Sequence, residues 1–228
     1  MSRKKKLVLS AFVVVAMFAV VGAGTFATFN AQASNGGNLF AEGTLVLSNK
    51  VDAATACLST GSGTDTGTNV NSACDQLYNV SVRKPGDTAT SGNITIKNEG
   101  SVNAAALEVF TGACTDADVA TETYHGTGNV CDQLQLTIQQ YSDNTFVTPL
   151  ACAYGASAGA TCVFDPATTL RVFQTTYGAA GSGLGLGLGT LSAGAEKYFK
   201  VSVQLPITAG NDVQGRQATA DFTWYAAS

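Results

Sequence analysis

Apolar residues recur at every second position in several short stretches of the chain. Ile94 and Ile96 alternate with Thr95 and Lys97. Leu134, Leu136 and Ile138 alternate with Gln133, Gln135, Thr137 and Gln139, and Phe199, Val201, Val203 and Leu205 form a third row. A period of two puts one row of side chains on the buried face of a strand and the other on the outer face. Shorter rows of the same kind occur at Thr44 to Leu47, at Tyr78, Val80 and Val82, at Ala105, Leu107 and Val109, at Leu170, Val172 and Gln174, and at Ala220, Phe222 and Trp224. Phe146 to Ala153 and Cys162 to Phe164 flank a small-residue loop in the manner of a hairpin. Pro85-Gly86-Asp87 and Asn98-Glu-Gly100 supply turns between rows.

The pattern predicts roughly ten strands separated by turn signals, and no amphipathic helix beyond the N-terminal region. The expected fold is all-β: an antiparallel two-sheet sandwich, jelly-roll-like, preceded by a signal helix. One run departs from alternation. In Gly181-Ser-Gly-Leu-Gly-Leu-Gly-Leu-Gly189, Leu184, Leu186 and Leu188 share one face and only Gly lies opposite. Gly weakens a strand interior, so a flexible loop is the expectation, with an edge strand that admits another backbone as the alternative.

The first residues read as an export signal. Arg3, Lys4, Lys5 and Lys6 precede an apolar run from Leu7 to Val21, small residues Gly22-Ala-Gly24 follow, and a cut is expected between Ala27 and Thr28. Left uncleaved, the apolar run extended through Phe29 is long enough to span a bilayer, so membrane contact is expected only through that segment. The domains are then 1–27, signal peptide; 28–38, a short apolar segment and hinge; and 39–228, the sandwich. Phe29, Ala31 and Ala33 begin the mature chain, followed by a polar hinge, Ser34-Asn-Gly-Gly-Asn38. An extended segment on a hinge can pair with its own sheet or with a neighbour's.

Charge and cysteine content narrow the function classes. Residues 1–27 contain four basic and no acidic residues, so the mature chain keeps 8 basic against 16 acidic residues and carries a net charge of −8. Such a surface offers no electrostatic footing on nucleic acid and is repelled by anionic lipid. Six cysteines in an exported chain imply disulfides. Cys57 and Cys74 are seventeen residues apart, as are Cys114 and Cys131, and both second cysteines open the same tetrapeptide, Cys-Asp-Gln-Leu. That repetition pairs Cys57 with Cys74 and Cys114 with Cys131, leaving Cys152 to close on Cys162. The three clips are expected to protect long exposed loops.

Catalytic constellations are missing from the sequence. His125 is the single histidine and sits in a polar loop. There is no H-E-x-x-H zinc motif, no G-x-S-x-G elbow and no C-x-x-C pair. Asp116, Asp118 and Glu122 lack the spacing of a calcium loop and read as a solvated acidic cluster. No enzyme activity, cofactor or metal is expected.

The residues GAGTFATFN, followed by LFAEGTLVLSN, resemble the N-terminal signature of the TasA/camelysin family, secreted fibre proteins of bacterial biofilm matrices with a SipW-type signal peptide. Pro85-Gly86-Asp87 with Ile94 to Gly100, and Asn211 to Gly215 with Ala220 to Ala226, are similar to later pieces of that family. The cysteine-bearing middle departs from it. The resemblance implies a jelly roll and a secreted fibre subunit processed by a signal peptidase. Part of the family has been described as metallopeptidase, and the residues here do not carry that activity over.

Two functions are expected from these residues. In the first, the protein is a structural subunit whose new N-terminus inserts as a donor strand into the next subunit, with Phe29, Ala31 and Ala33 as the polymerisation contacts and the partner being a second copy of the chain. In the second, it is a monomeric cell-surface adhesin or binding module whose clipped loops hold a ligand. Both place it outside the cell, in a matrix or on a surface.

Overall fold

The computed structural model describes residues 43–60, 74–77, 84–178 and 183–228. The signal segment, the cut at Ala27 and Thr28, the contacts Phe29, Ala31 and Ala33, and the row Tyr78 to Val82 lie outside the described residues.

The elements in order are β1 (Leu47–Val51), β2 (Cys57–Leu58), β3 (Thr90–Asn98), β4 (Ala106–Thr111), β5 (Thr115–Asp118), α1 (Val130–Gln133), β6 (Gln135–Tyr141), β7 (Pro149–Tyr154), β8 (Ala156–Ala158), β9 (Thr161–Val163), α2 (Leu170–Tyr177), β10 (Leu186–Gly187), β11 (Glu196–Gln204), a 3-10 turn (Asn211–Val213), β12 (Arg216–Thr219) and β13 (Phe222–Ala227). They form an all-β antiparallel sandwich. One sheet has six strands in the order β2-β1-β3-β11-β6-β7, and the facing sheet has three, β10-β4-β13. A two-stranded ribbon, β12-β5, continues the β13-β4 pair past Gly112, and β8-β9 is a separate hairpin.

The three clean alternating rows become the centre of the six-stranded sheet. Ile94 and Ile96 of β3, Phe199 and Val201 of β11, and Leu136 and Ile138 of β6 are all buried, and the register sets Phe199 opposite Ile94 and Val201 opposite Ile138. Leu107 and Val109 of β4 meet them from the other sheet. Several boundaries differ from the alternation. β1 begins only at Leu47; Thr44 and Val46 instead accept backbone N–H groups from the turn at residues 99–102. Ala105 is exposed and its neighbour Ala104 is buried. Leu134 caps α1 rather than starting β6. The connection from β3 to β4 crosses between sheets.

Strand β6 is buried on both faces, which its glutamines disguise in the sequence. The second face, Gln135, Thr137 and Gln139, is roofed by the β8-β9 hairpin. Gln139 latches that roof. Its Nε2 donates to the carbonyls of Ala151 at 2.7 Å and Ala160 at 2.9 Å, and its Oε1 accepts from Cys162 N at 2.6 Å. Replacing Gln139 by Ala strands these groups, at a cost of about 2 kcal/mol. Hydrogen exchange at the Cys162 amide should then accelerate while exchange in β11 stays slow. Unchanged exchange at Cys162 refutes the latch.

Two elements overturn the sequence reading. Residues 170–177 are helix, not strand. Thr169 caps it, its Oγ1 accepting from Val172 N, and Leu170 and Phe173 turn inward at a spacing of three. Val172, expected in the buried row, is exposed. Within the Gly-Leu run Leu186–Gly187 is a two-residue edge strand, and the described residues on either side, 183–185 and 188–189, are turn or irregular. β10 pairs with β4, setting Leu186 opposite Val109, because the buried Glu108 carboxylate accepts the N–H groups of Gly183 at 2.6 Å and Gly185 at 3.0 Å. A side chain at Gly185 has no room: its Cβ falls 2.9 Å from the Cβ of Glu108. The backbone that approaches closely is thus the chain's own.

Candidate assembly groove

The two sheets are unequal, and the inequality makes the site. Three strands cannot cover six. On the β6-β7 half, α2 fills the difference: Phe173 lies edge-on to Tyr154 of β7 at 4.8 Å. On the β1-β3 half a groove of about 690 Å³ remains between the sheets. Its floor is the inward row of β1 and β3, Leu47, Asn49, Val51, Ile94 and Ile96. Its opposite wall is the nine-residue run 216–224, every residue of which lines the groove.

Consecutive lining residues of both parities mean that the groove follows a strand edge, not one face. Among the described residues β12 pairs only with β5, and β13 only with β4. Among the described residues their other edge has no strand partner. An unpaired edge beside apolar surface is a template for a further strand.

Three side-chain atoms of groove-lining residues are buried without a partner, Trp224 Nε1, Asn49 Oδ1 and Arg216 Nε. Trp224 lies against Phe199, ring centroids 5.0 Å apart, and its Nε1–H is buried without an acceptor. Asn49 Oδ1, on the floor, is buried without a donor. Burying such a group unpaired costs about 1–3 kcal/mol.

One end of the wall is pinned by charge. Arg216 of β12 donates from Nη1 to Asp118 at 2.6 Å and from Nη2 to Asp116, both on β5. The hydrogen bond that Arg216 donates to Asp116 raises the Arg216 pKa further. Asp116 also accepts Val130 N at 3.0 Å. Asp116 and Asp118 are therefore a strand latch rather than solvated loop residues, while Glu122 is exposed. His125 is held nearby, its Nδ1–H donating to the Gly215 carbonyl at 3.0 Å. The sequence signal for the latch was the charge at Arg216, which falls at the register position opposite Asp118.

All six cysteines are bridged, Cys57–Cys74, Cys114–Cys131 and Cys152–Cys162, the pairs that the spacing selects. This fits an oxidising compartment. The Cys114–Cys131 bridge does more than guard a loop: both residues are buried in the main core, where they tie β5 to α1. Cys57 and Cys74 line the groove's outer side. Among the described residues no three His, Cys, Asp or Glu side chains gather as a metal site.

The chain matches none of the protein-family models, and no curated protein matches it.

Proposed function

We propose that this protein is a secreted structural subunit that assembles head to tail into an extracellular fibre. Residues 28–38 of one copy lie as an added strand along the free edge of β12-β13 in the next. The single observation that carries this reading is the groove: a strand edge with no partner among the described residues, facing a largely apolar floor. Lengths agree. Nine edge residues extend over about 30 Å, and eleven donor residues reach at most about 36–40 Å. Backbone hydrogen bonds supply affinity, and alternate side chains entering the groove supply specificity. Such a contact joins two different surfaces, so it propagates rather than closing on itself. The same assembly is what the resemblance to the TasA/camelysin family implies, and the bridges suit a subunit exposed outside the cell.

Electron microscopy of the purified mature chain, with and without residues 28–38, tests the proposal. Filaments are expected from the first and dispersed, folded subunits from the second. Filaments from both would overturn the role of residues 28–38 as the inserted strand, and filaments from neither at high concentration would favour a monomeric binding module.

A further inference from the structure

Three aromatic rings gather on the side of the six-stranded sheet that faces away from the core. Phe199 and Val201 of β11 and Leu136 and Ile138 of β6 point into the core, so Tyr198, Lys200 and Tyr141 take the opposite face. The register sets Thr95 of β3, Tyr198 of β11 and Tyr141 of β6 in one row across neighbouring strands, with Asn93, Lys200 and Gln139 in the next. Phe146 joins them from the turn between β6 and β7, its ring centroid 5.8 Å from that of Tyr141 and 6.2 Å from that of Tyr198.

The turn holds that ring in place. Asp143 Oδ1 accepts Thr145 N at 2.9 Å and also the Thr145 hydroxyl, while Oδ2 accepts the Ser142 hydroxyl at 3.0 Å. The chain leaves the turn through Phe146 at φ 54°, a region that bulky side chains rarely enter. Glycine would make the same turn without strain, so what Phe146 adds is its ring. That ring meets its two neighbours at 67° and 90°, edge to face rather than stacked, and all three rings stay partly exposed.

Polar groups of both charge signs stand around the rings. Lys200 Nζ lies over Tyr141, 5.0 Å from the ring centroid, which fixes an ammonium group beside the cluster. Glu196 accepts the Tyr198 hydroxyl at 2.7 Å and keeps lone pairs to spare. That hydrogen bond, with burial and the charges of Glu196 and Asp143, pushes the Tyr198 pKa up to about 12, so the phenol stays neutral. An apolar partner laid over the rings would strip water from these charges without pairing them. An anion would meet the carboxylates of Glu196 and Asp143. A sugar ring suits both kinds of group, because its C–H face lies against an aromatic ring while its hydroxyls accept from an ammonium and donate to a carboxylate.

We propose that Phe146 and Tyr198, backed by Tyr141 and flanked by Lys200 and Glu196, bind an uncharged polysaccharide. The two ring faces carry the contact, and Lys200 and Glu196 orient the hydroxyls. None of these residues lines the groove between the sheets, so this site does not depend on the assembly reading, and its failure would leave that reading intact.

The test is retention of the mature full-length chain on immobilised hydroxyethylcellulose and galactomannan, with polygalacturonate and phenyl-agarose as anionic and apolar comparisons. Retention is expected on at least one neutral polysaccharide and on neither comparison, and the same polysaccharide in solution should release the protein. Phe146→Ala and Tyr198→Ala should each weaken binding about tenfold, and Lys200→Ala about threefold. Phe146→Gly separates binding from folding: it removes the strain together with the ring, so the melting temperature should stay near that of the wild type while retention is lost. Phe146→Tyr should keep retention. Should the ring variants fold poorly, Lys200→Ala decides, and an unchanged affinity there overturns the inference. Retention on neither neutral polysaccharide, or on polygalacturonate or phenyl-agarose alone, also overturns it. A Phe146→Gly chain that melts early yet binds like the wild type makes the ring a cap on the sheet and rules out its role in binding.

Discussion

Phe29→Asp is expected to leave an exported, folded subunit that does not polymerise. Phe29 is the one large side chain in the proposed inserted row, whose other apolar members are alanines. Burying a Phe contributes roughly 1.5–3 kcal/mol, and a carboxylate in its place adds the cost of an unpaired charge against apolar floor residues. Association between proteins already costs about 4–15 kcal/mol in lost freedom, so a junction held by one short strand has little to spare. A combined loss of about 4 kcal/mol raises the critical concentration on the order of a thousandfold. Sedimentation at increasing concentration measures it. Circular dichroism and non-reduced peptide mapping of the three bridges report whether the body is intact. Polymerisation at the wild-type concentration removes Phe29 as the anchor. Loss of polymerisation together with loss of the fold means that residue 29 serves its own subunit.

The body needed for that experiment was largely legible in the chain. Rows such as Phe199, Val201 and Val203 have one buried face and lie in strands long enough for the period to show, so hydrophobic alternation specified both their strand and its inward side. The cysteine pairs were legible because a local clip leaves its signature in spacing. The groove was not. It arises from a mismatch between a six-stranded and a three-stranded layer, and no residue announces how many strands the other layer holds. The partnerless Nε1–H of Trp224 is likewise a property of what does not approach it. Long-range polar contacts were misread for a related reason. Asp116 and Asp118 look solvated until Arg216, nearly a hundred residues later, arrives in register across β5 and β12. The edge strand β10 was hidden by its glycines, since the side chain that holds it in place, Glu108, belongs to another strand.

The helix α2 is where the sequence pattern misled, and it provides the second large expected effect. Residues 170–177 contain apolar positions compatible with either period: Leu170 and Val172 fit a strand, while Leu170, Phe173 and Tyr177 fit a helix. Thr169 decides locally by capping, and the gap over the β6-β7 half of the large sheet decides globally, because a helix fills that width and a single strand does not. Phe173 is completely buried, with ring centroids 4.8 Å from Tyr154, 5.2 Å from Tyr177 and 6.0 Å from Phe222. Phe173→Ala is therefore expected to cost about 3–5 kcal/mol, a large fraction of the roughly 5–15 kcal/mol that holds a typical domain together. At roughly 2–4 °C per kcal/mol, the melting temperature falls by about 10 °C. Val172→Ala, one residue away on the solvent side at 40 % exposure, should change stability by less than about 0.5 kcal/mol. A strand through these residues reverses the order, with Val172 the costly position. The two melting curves separate the alternatives. Because Phe222 opens β13 and also lines the groove, Phe173→Ala should additionally weaken assembly, while Val172→Ala leaves it unchanged.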